Sequence, residues 1–163
     1  KTIKLMRDHG RGEDGNVSLW GYNSRLDNLQ AAILNYFFEN YGDTIQRRRA
    51  IANLYAETLK DISHIVLPPA PDSDVNYFDI YQNYEIEVDR RDELKAYLAE
   101  NGIGTLIQLG GQAGHEFIDL GFNKSLPYTE RIMRSSLLLP INMSITDYEI
   151  LHVCRAIRGF YND

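Results

Sequence analysis

The sequence predicts a small mixed helix-and-sheet protein of the α/β or α+β class. Three observations lead there. Apolar residues recur at spacings of three and four through residues 26–62. Strict alternation replaces that period at Tyr84–Val88, YEIEV. Beyond it, helix-period stretches and short apolar runs succeed one another, the pattern of helices layered on strands. Hydrophobic residues make up 44% and charged residues 25%, enough to build a core, so disorder throughout is excluded.

Each element has its own local reason. Residues 1–9 (KTIKLMRDH) read as the tail of an element that starts earlier, since no capping residue introduces them. Glycines at 10, 12, 15 and 21 make residues 10–25 a loop that bends sharply or approaches something closely. Leu26, Leu29, Ile33, Tyr36 and Phe37 mark a helical stripe, with Ser24 or Asp27 as its cap and Gly42 as its stop. A second helix is expected from Thr44 to Asp61, with Ile51, Leu54, Tyr55, Leu59 and Ile62 on its inner stripe. Arg47, Arg48 and Arg49 are consecutive, cannot share one face, and read as solvated surface.

A short strand, His64 to Leu67, ends at Pro68, Pro69 and Pro71, the best internal boundary. Residues 72–76 (DSDVN) are a polar turn. After YEIEV, Asp89 is expected to cap a helix that Asn101-Gly102 stops. Residues 103–109 (IGTLIQL) read as a second strand, and Gly110, Gly111 and Gly114 interrupt the next stretch. A helix from Pro127 to Ser136 precedes the apolar run LLLP at 137–140. Thr146 and Glu149 form a capping box for a last helix that turns Ile150, Val153, Cys154, Ile157, Phe160 and Tyr161 inward. The part after the proline bend is therefore expected to be a β-α-β-α-α unit.

Several function classes fall away. Seventeen basic against 23 acidic residues give a net charge of −6, a poor match to general nucleic-acid binding. Cys154 is the only cysteine, which excludes a disulfide or a cysteine zinc site within one chain. No apolar run approaches the roughly 18 residues of a membrane span, so no membrane partner is expected and a cytoplasmic location is the default. His9, His64, His115 and His152 lack metal-ligand spacing. No GxSxG, P-loop or GxGxxG occurs.

The segment Trp20–Asp27 (WGYNSRLD) is richer. It holds an indole, a phenol, an amide, a hydroxyl and a guanidinium just before a helix start. Amide and guanidinium donors suit a phosphate, and so do the amides of a helix N-terminus. A plainer reading has Asn23 and Ser24 capping the helix and Arg25 paired with an acidic neighbour. His115 and Glu116, following GGQAG, either line a polar pocket or sit on a surface loop. The aromatics at 36–41 and 77–84 read as core or subunit interface.

GYNSRLDNLQAAIL (21–34) resembles the signature of the DegT/DnrJ/StrS-type sugar aminotransferases, which depend on pyridoxal 5'-phosphate. Further matches lie in the family's order: RDHGRGE (7–13) before that run, then RRRAIANLYAETL (47–59), QNYEIEVDRRDELKAYLAENGIGT (82–105), LPYTE (126–130), LLLPINMSIT (137–146) and IRGFY (157–161) after it. The resemblance thus spans essentially the whole chain. It implies the C-terminal portion of a type I aminotransferase fold. Residues 1–25 would end the large domain and form an active-site loop, 26–76 would be bridging helices and linker, and 77–163 a small C-terminal α/β domain.

The implied activity is transfer of an amino group, with glutamate the expected donor, to a keto group on a nucleotide-linked deoxysugar. The implied assembly is a homodimer with its active site at the interface. Asn23 matches the family asparagine that binds the cofactor phosphate of the neighbouring subunit. Tyr22, Arg25 and His115 match positions near the substrate, although GGQAG replaces the family's tyrosine-proline context before His115. QNYEI and IQLGGQAG look closest to the subgroup acting on dTDP-linked 3-keto-6-deoxyhexoses. The family's Schiff-base lysine lies N-terminal to the RDHG segment, and none of Lys1, Lys4, Lys60, Lys95 or Lys124 matches it. No catalytic residue is therefore expected here, and a chain opening on Lys1 reads as a cut enzyme, inactive alone. The alternatives are a keto-sugar dehydratase of the same fold, with histidine in place of that lysine, or a non-catalytic dimerisation fragment.

Overall fold

A computed structural model describes residues 1–162. The chain divides into two compact units, Lys1–Gly42 and Asp43–Asp163.

The first unit is a ribbon-like loop and a helix. A short helix α1 (Thr2–Met6) leads into residues that fold back on one another. Asp8 bridges Asn23, and Arg11 bridges Val17, both antiparallel. Glycine is required at two places. A Cβ on Gly10 would lie 1.7 Å from the Leu19 carbonyl oxygen, and one on Gly21 would lie 2.2 Å from the Gly10 nitrogen. Helix α2 (Asn28–Phe38) comes next, and Asp27 caps it by accepting from the Leu29 amide at 2.8 Å. It ends before Gly42, which instead lies in the first turn of helix α3 (Tyr41–Leu59). No residue of α2 is buried.

The second unit holds the core. Ile51, Ala52, Tyr55, Ala56 and Leu59 of α3 are buried. Strands β1 (Ile65–Val66) and β2 (Tyr84–Val88) pair antiparallel, Ile65 opposite Val88. Helix α4 (Arg91–Glu100) succeeds β2, helix α5 (Pro127–Ser135) comes next, and strand β3 (Ser136–Leu139) pairs antiparallel with β2. The order in the sheet is β1-β2-β3. Helix α6 (Asp147–Tyr161) closes the unit with Ile150, Val153, Cys154 and Ile157 buried. The Tyr55 and Tyr84 rings stack with centroids 4.8 Å apart, and the Tyr55 hydroxyl donates to the Pro140 carbonyl at 2.9 Å. That bond satisfies the phenol inside an apolar core.

Besides the Gly42 stop, four local expectations are corrected. Residues 103–109 make a single bridge, Leu106 to Leu138, rather than a strand. Leu109, Gly110 and Gly111 take φ of 50°, 69° and 83°, and three left-handed residues cannot extend. The third strand is the SLLL run after α5, so the order after the bend is β-α-α-β-α. Asp89 does not cap α4. Its carboxylate faces His64 Nδ1 at 3.1 Å, and Arg90 takes the cap position at φ 56°.

The fourth correction concerns the three arginines, which are clamps rather than solvated surface. Arg47 donates to Asp147 at 2.7 Å and to the Ile145 carbonyl at 2.5 Å. Arg48 donates to the Tyr81 and Gln82 carbonyls, both at 2.9 Å. Arg49 donates to the Asp79 carbonyl at 2.8 Å and to Asp72 at 2.5 Å. One helix thereby ties the 72–82 segment and the start of α6, each arginine from its own angle.

Candidate functional site

Two of the places singled out by sequence gather polar side chains, one in each unit. In the first unit, the backbone of 22–24 is pinned against 6–9. The Tyr22 amide donates to the Met6 carbonyl at 2.6 Å, the His9 amide to the Tyr22 carbonyl at 2.9 Å, and the Ser24 amide to the Arg7 carbonyl at 2.9 Å. The side chains stay outward. Trp20 is 97% exposed and Tyr22 71%. The Asn23 amide group is exposed and makes no hydrogen bond among the described residues. Arg25 lies 3.6 Å from Asp8, an exposed pair that solvent screens.

This geometry separates the two readings of the segment. Asn23 and Ser24 do not cap α2, because Asp27 does. A carboxylate of the chain already occupies the helix N-terminus, so the helix adds little pull on an outside anion. What remains is an outward amide on a fixed backbone, two residues from a guanidinium. Arg25 does have the acidic neighbour that the plainer reading required, and Asp8 is the residue that sequence spacing did not single out.

His115 sits in the second unit within a short turn, 114–116. The Ala113 amide donates to Glu116 Oε2 at 2.7 Å, which holds that turn. The histidine is not a surface group, since only 9% of its side chain is exposed. It lines a cleft of about 400 Å³ together with Asn123, Lys124, Glu130 and Arg134. Its Nε2 is buried without a hydrogen-bond partner, 3.6 Å from Glu130 Oε1. Glu130 accepts from the Leu126 amide at 2.9 Å and the Ser125 hydroxyl at 3.0 Å. The Leu126 amide, then Ser125, hold its carboxyl below the usual carboxylate range. Sequence reasoning misses Glu130. Proline at the first position of α5 marks a helix start, but nothing local places its first-turn acid beside a histidine 15 residues away.

Other reactive groups are quiet. Burial pushes the Cys154 thiol up to about 11, which keeps it protonated and inert. Among the described residues no three His, Cys, Asp or Glu side chains gather to hold a metal ion. No helix among them is long and apolar enough to cross a membrane.

Comparison with known proteins places these observations in one family. Residues 1–158 match the DegT/DnrJ/EryC1/StrS aminotransferase family. The "Pleiotropic regulatory protein" of Geobacillus stearothermophilus is 32% identical over 99% of this chain and 44% of its own length. The dTDP-3-amino-3,4,6-trideoxy-alpha-D-glucose transaminase of Streptomyces venezuelae is 31% identical over 97% of this chain and 42% of its own. Among solved structures, S. venezuelae DesV superposes with a TM-score of 0.87 at 30% identity, over 98% of this chain and 43% of that one. The chain thus spans less than half the length of the relatives it matches.

Proposed function

The chain belongs to the DegT/DnrJ/EryC1/StrS aminotransferase family, and from that membership we propose that it is the C-terminal portion of a pyridoxal-phosphate-dependent nucleotide-sugar aminotransferase. The observation that carries this reading is the unbroken family match over residues 1–158. The similar transaminase from S. venezuelae acts, by its name, on a dTDP-linked amino sugar, and it suggests the substrate class. On this reading residues 1–25 end the large domain and form an active-site loop. Residues 26–76 are bridging helices and linker, and 77–163 are the small domain. The amino donor is an amino acid, glutamate in the first instance.

The donor set fits a cofactor phosphate. The Asn23 amide has no internal partner, and its backbone is held by the Met6, Arg7 and Tyr22 pairings. Asn23 would donate to the phosphate, and Arg25 would add positive charge nearby. Tyr22, Arg25 and His115 are the substrate contacts. When bound, pyridoxal phosphate supplies the electron sink for moving an amino group between carbons. The chain's own residues bind and orient, and the lysine that carries the cofactor lies outside them, so these residues alone are inactive. The exposed apolar surface of α2, with Leu29, Tyr36, Phe37 and Phe38 outward, supports a homodimer in which Asn23 serves the neighbouring subunit's site.

The test is Asn23→Ala in the longer enzyme. Loss of a hydrogen bond to a charged phosphate weakens cofactor affinity about tenfold or more. Equilibrium dialysis of the cofactor reads this directly. Unchanged affinity and turnover remove Asn23 from the site. Light scattering on the same enzyme reads the dimer.

A further inference from the structure

We propose that Glu130 is a positioning residue for His115. It fixes the imidazole in the tautomer that carries its hydrogen on Nε2, which leaves Nδ1 as a hydrogen-bond acceptor for a ligand hydroxyl. This rests on the reading of His115 as a substrate contact and adds the direction of that contact.

The geometry leaves Nε2 one choice. It is buried, makes no hydrogen bond, and faces Glu130 Oε1 at 3.6 Å. That is a few tenths of an ångström beyond the usual 2.7–3.2 Å of an N–H···O bond, within the reach of a small side-chain rotation. An unprotonated Nε2 would set a lone pair against a carboxylate in a water-poor position, which is repulsive. A hydrogen on Nε2 turns the same approach into a charge-assisted contact.

Glu130 is well placed to stay ionised and still. Its Oε1 already takes the Leu126 amide and the Ser125 hydroxyl, so its rotamer is set by the start of α5. Arg134, one turn along α5, favours its negative charge, and Lys124 lines the same cleft. Glu116, the other acid there, is engaged by the Ala113 amide. His115 is held from its own side by the 114–116 turn. Nδ1 makes no hydrogen bond among the described residues, and it is the ring nitrogen left for a ligand. An acceptor at that point selects a donor, as a sugar hydroxyl is, over a phosphate oxygen. Asn123 and Lys124 would then serve the ligand's acceptor groups.

The experiment is nitrogen-15 NMR of the chain with labelled histidine, at a pH well above the ordinary histidine value of about 6.5. The expected spectrum shows His115 Nε2 as the protonated, pyrrole-like nitrogen and Nδ1 as the bare, pyridine-like one. Glu130→Leu, which removes the acceptor, should average the two nitrogens or reverse them. Ser125→Ala, which removes one bond to Glu130 and keeps its carboxylate, should leave the wild-type pattern. Two results overturn the proposal: a wild-type His115 with hydrogen on Nδ1 or with averaged nitrogens, and a Glu130→Leu spectrum unchanged from wild type. If Glu130→Leu fails to fold, the wild-type spectrum still decides. The measurement needs no substrate, so its failure leaves the functional reading intact. Conversely, substrate affinity unchanged by His115→Ala in the longer enzyme would sink that reading and leave the tautomer result standing.

Discussion

Helices α2 and α3 are neighbours in sequence and opposites in use. Helix α2 is the more apolar of the two, with Leu29, Ile33, Leu34, Tyr36, Phe37 and Phe38 in 11 residues, and it buries none of them. Helix α3 carries three consecutive arginines and still buries Ile51, Ala52, Tyr55, Ala56 and Leu59. Composition therefore does not decide which helix is core. What decides it is whether the fold supplies a second layer. Strands β1–β3 and helices α4 and α6 supply one for α3. Unit one contains only a loop and a short helix beside α2, too little to cover it. The apolar side chains of α2 meet no covering layer among the described residues, and those of α3 do.

The sharpest way to break this contrast is a pair of truncations. Leu98→Ala, at a fully buried position of α4, should cost about 2–5 kcal/mol in urea unfolding of the chain. Phe37→Ser, at a position 63% exposed, should stay within about 0.5 kcal/mol. Equal losses for the two would mean that α2 belongs to the same cooperative core. The next effect in size is Arg48→Ala. It strips a charged donor from the Tyr81 and Gln82 carbonyls and should cost about 1.5–3 kcal/mol in the same assay. A cost near zero would return the arginine run to the solvated surface.

Legibility divides along the same line. Where a residue's partner lies close in sequence, the pattern mostly finds it, with Asp89 as a cap and Gly42 as a stop the exceptions. YEIEV forms β2 with Tyr84, Ile86 and Val88 buried, and Thr146 and Glu149 form their box. Wherever the partner is remote, the pattern fails. The arginine clamps close on carbonyls 30 or more residues away. The IGTLIQL run has strand composition, but its backbone is turned by left-handed residues at its end. The LLLP run shows only its apolar character in sequence, because pairing with β2 is a long-range choice. At the candidate site, the loop that carries Asn23 is legible from its glycines. The Glu130–His115 approach is not, since it joins a helix start to a distant turn.

A smaller effect tests the local side of that rule. Thr146→Ala should cost about 1 kcal/mol, the ordinary value of an N-cap. Its acid counterpart, Glu149, brings a pH dependence. Hydrogen bonds from the Thr146 amide and hydroxyl hold the Glu149 carboxyl below its ordinary value. Arg90 does the same for Glu93, and Arg158 for Asp61. A carboxyl lowered in the folded state stabilises it above the unfolded value and loses that contribution as pH falls through the folded one. These three groups and Glu130 all lie in unit two. Its urea midpoint should therefore fall as pH drops below about 4, and a midpoint that rises there would reverse the sign of the argument.

The smallest effect on global stability separates the units most cleanly. In Gly21→Ala the new Cβ meets the Gly10 nitrogen at 2.2 Å and the Met6 carbonyl oxygen at 2.8 Å, both backbone atoms with no rotamer to yield. The loop must open. Opening costs the pairings of the His9, Tyr22 and Ser24 amides, none of which belongs to the core. Hydrogen exchange at those three amides should quicken while the urea midpoint stays at the wild-type value. In the longer enzyme the same change should loosen the cofactor much as Asn23→Ala does, although residue 21 offers no side chain to any ligand. That pairing of results would assign the effect to the backbone that holds Asn23. A fall in the midpoint as large as that of Leu98→Ala would instead make the loop part of the folding core, and the contrast between the two units would fail.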